Sequence, residues 1–138
     1  MKTTLITGGL GFIGSNICDA LLQKKYTNKC ILVDNFGGYM NPIKESFTDF
    51  RKQRFPSLKN IIIERCDTSN YKALSEILNK YKPNYIYHTA ALPLAKVSNL
   101  NNEEAKISSV DSTVNIIDAI NLLKNSNQKY QFDRFVYF

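Results

Sequence analysis

Apolar residues fall along this chain in two rhythms. Short, nearly continuous runs occur at residues 3–7, at Cys30-Ile31-Leu32-Val33, at Ile61-Ile62-Ile63, at Tyr85-Ile86-Tyr87 and at Phe135-Val136-Tyr137-Phe138. Such runs predict strands, and the continuous ones at Cys30–Val33 and Ile61–Ile63 read as strands buried on both faces, as in a parallel sheet. Between them the spacing changes to three and four. Ile13, Ile17, Ala20 and Leu21 predict a helix over 12–24, and Leu74, Ile77, Leu78 and Tyr81 predict another. Thr68, Ser69 and Asn70 offer oxygens to cap the start of that second helix. Lys82-Pro83 ends it, because proline disfavours helical geometry in the residue before it. A long helix is predicted over 102–124, with Val110, Val114, Ile117 and Ile120 facing inward. Residues 35–59 are polar and mixed, with Gly37, Gly38, Pro42 and Pro56; they read as a long loop carrying a helix around 44–54. A loop with Pro93 follows the fourth strand.

The order strand, helix, strand, loop, strand, helix, strand, helix, strand argues for an α/β fold with a parallel sheet and helices on both faces. Right-handed crossovers then give a doubly wound sheet of five strands in the order 3-2-1-4-5.

Composition narrows the class. With 138 residues, 43% hydrophobic and 22% charged, the chain can bury one sizeable core, and neither disorder nor a disulfide scaffold fits. The net charge of +6 comes mainly from lysine, and its one local cluster is Arg51, Lys52 and Arg54 with Lys59 nearby. Such a cluster reads as a solvated face, so no nucleic-acid partner is expected. Cys18, Cys30 and Cys66 are far apart, and His88 is the single histidine. No metal site is expected from that set, and sparse unpaired cysteines suit a reducing compartment. No signal-peptide pattern and no apolar run of 18 residues occur, so the expectation is a cytoplasmic protein with no membrane partner.

Four of the six glycines crowd into Thr7-Gly8-Gly9-Leu10-Gly11-Phe12-Ile13-Gly14. The segment reads as G-x-G-x-x-G from Gly9 or as G-x-x-G-x-x-G from Gly8. It lies between a predicted strand and a predicted helix, the context in which such a pattern holds a dinucleotide. Gly8 can make the tight turn out of the strand. Gly11 leaves the backbone open to a pyrophosphate, and Gly14 lets the helix pack close. The first-turn N–H groups and the helix dipole then face the phosphate charge. Asp34 ends the second strand, twenty residues after Gly14. A carboxylate there hydrogen-bonds the adenosine ribose of NAD and repels the 2′-phosphate of NADP, so NAD is the expected cofactor. A strand-end cap is the other reading of Asp34.

These motifs together resemble the extended short-chain dehydrogenase/reductase family, in particular its NAD-dependent sugar-nucleotide epimerases and dehydratases. The resemblance rests on TGGLGFIG at 7–14, Val33-Asp34-Asn35, Cys66-Asp67, His88-Thr89-Ala90-Ala91, the run from Thr113 to Ala119, and Arg134-Phe135-Val136-Tyr137. It implies a Rossmann-type fold over residues 1–138, as one NAD(P)-binding domain. It implies that Phe12 and Ile13 offer backbone N–H groups to the pyrophosphate and that Asp34 and Asn35 hold the ribose. Asp67, with Thr68 beside it, would meet the adenine, and Ala90 and Ala91 would line the nicotinamide side. His88 reads as structural. Ser109 and Ser112 depart from the family, which has asparagine and glycine there.

The resemblance also implies a catalytic tyrosine and lysine spaced Y-x-x-x-K, with a serine or threonine beyond the fifth strand. None of the eight tyrosines here has a lysine four residues on. The expectation is therefore the NAD-binding portion of such an enzyme, cut in strand five, with no catalytic residue in these 138 and the substrate-binding half absent. The implied partners are a nucleotide sugar and either a second copy or a complementing C-terminal half. The competing reading is a non-catalytic NAD-binding or sensing module.

Overall fold

The computed structural model describes residues 2–37, 55, 58–92 and 101–138. The helix expected around 44–54, the Arg51, Lys52 and Arg54 cluster and Pro93 lie outside the described residues.

The chain runs β1 (Thr3–Thr7), α1 (Phe12–Gln23), β2 (Lys29–Asp34), β3 (Ile61–Arg65), α2 (Tyr71–Tyr81), β4 (Tyr85–His88), α3 (Asn102–Ala105), a π-helical segment (Lys106–Asp111), α4 (Ser112–Ser126) and β5 (Arg134–Tyr137). The five strands form one sheet in the order β3-β2-β1-β4-β5, and every pairing is parallel. This is the doubly wound order the alternation of elements predicts.

Alternate residues of each strand serve different layers. Leu5, Ile31, Val33 and Ile86 face one side, where they meet Leu74 and Leu78 of α2 and Ile116, Ala119, Ile120 and Leu123 of α4. Ile6, Cys30 and Leu32 face the other side, against Leu10 and Cys18 of the first loop and α1. Each large aliphatic side chain buried this way stabilises the fold by roughly 1.5–3 kcal/mol. The two clusters explain why β2 is a continuous apolar run from Cys30 to Val33 rather than an alternating one, and why Leu5 and Ile6 of β1 are both buried. The edge strands β3 and β5 are only part-buried. Helix α2 starts where Asn70 accepts a hydrogen bond from the Ala73 N–H (3.1 Å), and it ends at Lys82 in the left-handed region (φ 44°). Proline follows at once. None of the described helices is long and apolar enough to cross a membrane.

One predicted feature is corrected. The helix expected to run unbroken over 102–124 passes through the π-helical segment, and its inward face is different. Val110, Val114 and Ile117 are 55%, 48% and 42% exposed, while Ile116, Ala119 and Leu123 are buried with Ile120. Helix α4 carries apolar residues on more than one side, so spacing alone does not choose its face. Packing against α2 and the sheet does. The π turn has a local cause as well. The Ser112 N–H donates to the Ile107 carbonyl, five residues back. That frees the Ser108 carbonyl to accept the Ser112 hydroxyl (2.6 Å).

Candidate functional site

In a doubly wound sheet the chain reverses direction at the switch point, and a crevice opens beyond the carboxyl ends of the strands there. The switch here lies between β2-β1 and β4, and the sequence-predicted site residues stand at that end of the sheet. Gly8 follows β1, Asp34 ends β2, Asp67 and Thr68 follow β3, and Ala90 and Ala91 follow β4.

The glycine turn is packed from both sides. Gly8 has φ +63°, and a Cβ on it would lie 2.9 Å from the Ala90 nitrogen. A Cβ on Gly14 would lie 2.4 Å from the Gly8 carbonyl oxygen. Both positions are therefore closed to a side chain. Gly9, which the sequence places only in the pattern, is equally constrained: its missing Cβ would lie 2.7 Å from Leu32. Gly11 differs, since only the Gly8 carbonyl oxygen (3.1 Å) would be near. It is the N-cap of α1 and supplies no side-chain cap, and the first turn holds no acidic residue. The positive end of this helix is thus uncompensated by any side chain of its own first turn. Phe12, 78% exposed, and Ile13 begin that turn.

Asp34 is buried and ties the turn to β2. One carboxylate oxygen accepts from the Leu10 N–H (3.0 Å) and the other from the Phe36 N–H (2.9 Å). The capping reading therefore describes what Asp34 does in this structure. Phe36 itself lies in the left-handed region (φ 59°), with the Arg65 guanidinium 5.5 Å from its ring centre. Asn35 donates from Nδ2 to Asp67 Oδ2 (3.1 Å), so two residues from different strand ends meet. Burial pushes the Asp67 carboxyl up, but hydrogen bonds from the Ser69 N–H, the Ser69 hydroxyl and Asn35 outweigh it and hold the group below its ordinary range. Thr68 is buried, Ala90 half-buried and Ala91 exposed.

Helix α4 supports two of these loops, which apolar spacing does not reveal. Asn115 donates from Nδ2 to the Thr68 carbonyl (3.1 Å) and the Ser69 carbonyl (2.9 Å). His88, 1% exposed, lies between Thr7 Oγ1 (2.6 Å from Nδ1) and Thr113 Oγ1 (3.1 Å from Nε2). Burial pushes its pKa down to about 4, so the ring is neutral near pH 7. Asn115 and Thr113 stand in a motif already visible in the sequence. Their partners are backbone carbonyls and a distant histidine, which only the fold brings near.

A sequence profile of the GDP-mannose 4,6 dehydratase family matches residues 5–134. A probable polysaccharide biosynthesis protein, EpsC of Bacillus subtilis, is 30% identical over 123 residues, covering 88% of this chain and 19% of its own length. Two solved structures share the fold. The Bordetella bronchiseptica enzyme WbmG in complex with NAD and UDP is 20% identical at a TM-score of 0.71, covering 98% of this chain and 36% of that one. A UDP-glucose-4-epimerase from Stenotrophomonas maltophila, with bound NAD and formylated UDP-arabinopyranose, is 17% identical at a TM-score of 0.73, covering 99% and 36%. The chain thus spans about a fifth of the curated relative and about a third of these structures. With the match running from β1 to the start of β5, and with the resemblance its motifs carry, the chain belongs to the GDP-mannose 4,6 dehydratase family.

Proposed function

We propose that residues 1–138 form the NAD-binding part of a nucleotide-sugar epimerase or dehydratase. One observation carries the reading most: the positive end of α1 has no side-chain cap, it follows a turn at Gly8 and Gly9 with no room for side chains, and the carboxylate that ends β2 holds that turn through the Leu10 N–H. The residues fit the cofactor. The first-turn N–H groups of Phe12, Ile13 and Gly14 suit a pyrophosphate, and the bare Gly11 leaves space for it. A carboxylate oxygen accepts more than one hydrogen bond, so Asp34 can take a ribose hydroxyl while holding Leu10. Asn35 stands beside it, the Asp67–Thr68 loop suits the adenine, and Ala90 and Ala91 suit the nicotinamide end. When bound, NAD supplies a hydride acceptor and donor for the sugar ring. The proteins solved with NAD and with UDP or a UDP-sugar support this choice of ligands.

The 138 residues bring no tyrosine–lysine pair spaced Y-x-x-x-K, so the proton acceptor for hydride transfer is not expected from them. The purified chain should bind NAD without turning over a UDP- or GDP-sugar. It should prefer NAD to NADP by an order of magnitude or more, since each 1.4 kcal/mol of charge repulsion at Asp34 is about tenfold. Asp34→Asn should narrow that ratio. Equal affinity of the unaltered chain for the two dinucleotides, or sugar turnover by the chain alone, would contradict the proposal.

A further inference from the structure

His88 has a partner on each ring nitrogen, and the proton of each partner can be assigned. On the α4 side, Thr113 Oγ1 donates to the Ser109 carbonyl (2.6 Å) and Ser112 Oγ to the Ser108 carbonyl (2.6 Å). Both hydroxyls face Nε2, at 3.1 and 3.3 Å, and with their protons committed elsewhere they can only accept from it. Nε2 therefore carries a proton. On the β1 side, Thr7 Oγ1 accepts from the Ala90 N–H (3.3 Å) and sits 2.6 Å from Nδ1. Its own proton points at Nδ1, which is therefore the bare nitrogen.

The assigned bonds run in one direction: Ala90 N–H to Thr7, Thr7 O–H to His88, His88 N–H to Thr113, and Thr113 O–H to the Ser109 carbonyl in the π-helical segment. Hydrogen bonds joined head to tail polarise one another, and a buried chain of them holds its members in one arrangement. Its upper end is the Ala90 nitrogen, the atom a Cβ on Gly8 would strike.

We propose that His88 is a positioning residue, the neutral Nε2–H centre of this one-way chain, which fixes the Ala90 backbone against the glycine turn and makes the seat of the dinucleotide depend on helix α4. For its ligand the proposal rests on the NAD reading above. The groups facing the ring are Thr7 from β1, Ser112 and Thr113 from α4, and the Phe135 and Tyr137 rings from β5 at 6.2 and 5.7 Å. No carboxylate or cation is among these groups. An imidazolium would place a second donor at Thr7 Oγ1 beside the Ala90 N–H and leave the Thr7 proton without Nδ1.

The test uses the uniformly ¹⁵N-labelled 138-residue chain without NAD. His88 is its single histidine, so the ring signals need no assignment. The expected two-bond proton–nitrogen spectrum at pH 7 shows a protonated Nε2 and a bare Nδ1. Thr113→Val should shift both ring signals and also the Ala90 amide, which Thr113 does not touch. A protonated Nδ1, averaged tautomers, or an Ala90 amide unmoved by Thr113→Val would overturn the proposal. In NAD titrations, Thr7→Val should weaken binding by roughly 5- to 10-fold, the loss of one buried hydrogen bond, and Thr7→Ser should restore it. A folded Thr7→Val chain that binds NAD like the unaltered one would also overturn it. Failure of the unaltered chain to bind NAD would count against the NAD reading alone, since the ring spectrum and the Ala90 amide decide the chain of hydrogen bonds without it.

Discussion

Thr4 is buried in the central strand, and its hydroxyl has no hydrogen-bond partner among the described residues. Unmet buried polar groups destabilise a fold. Thr4→Val keeps the shape and removes the hydroxyl, and it should stabilise the chain by about 1 kcal/mol, read from the urea midpoint at unchanged slope. A lower midpoint would mean the hydroxyl is satisfied. Residues whose type already states a backbone requirement were legible without a structure. Gly8 and Gly14 are such residues, because their places admit no Cβ. Asp34 was legible as a strand-end acid, but its hydrogen bond to Leu10 was not, since that contact exists only once β1 and β2 are paired. His88 was legible only as structural. Its partners sit 81 and 25 positions away along the chain, and hydroxyls carry no periodic signal.

The strands show how far element patterns reach. A parallel strand buried on both faces is apolar on both, so the run Cys30–Val33 marks β2 directly. All five expected strands are in the sheet, but the edge strands β3 and β5 are only part-buried, because the run of residues does not say which strands lie at the edge. Helix α4 carries the opposite lesson. Its apolar residues surround much of the cylinder, and the face that packs is set by α2 and the sheet. Ile116→Ala should therefore destabilise by about 2–4 kcal/mol, while Val114→Ala stays within about 1 kcal/mol, in denaturant unfolding. Comparable losses at the two positions would contradict the corrected face. The π-helical turn was beyond the sequence pattern as well, because it depends on where the Ser112 N–H and hydroxyl each find a carbonyl.

At the scale of the molecule, four strand ends converge on one edge of the sheet, and titration of one buried ring links that edge to overall stability. The His88 pKa is lowered from 6.5 to about 4 by burial. The unfolded chain thus binds a proton that the folded chain refuses between these values. This contribution to stability is fully present above pH 6.5 and is lost as pH falls toward 4, up to roughly 3 kcal/mol in all. Unfolding free energies measured across that window should fall with pH, and the His88→Asn variant should lack this part of the slope. An identical slope in the variant would place the effect elsewhere. The central claim, that the glycine turn and Asp34 form a dinucleotide seat within these 138 residues, is tested most directly by calorimetric titration of the folded chain with NAD at pH 7.5. The account expects saturable binding of one NAD per chain; a folded chain that gives no saturable heat with NAD would contradict it.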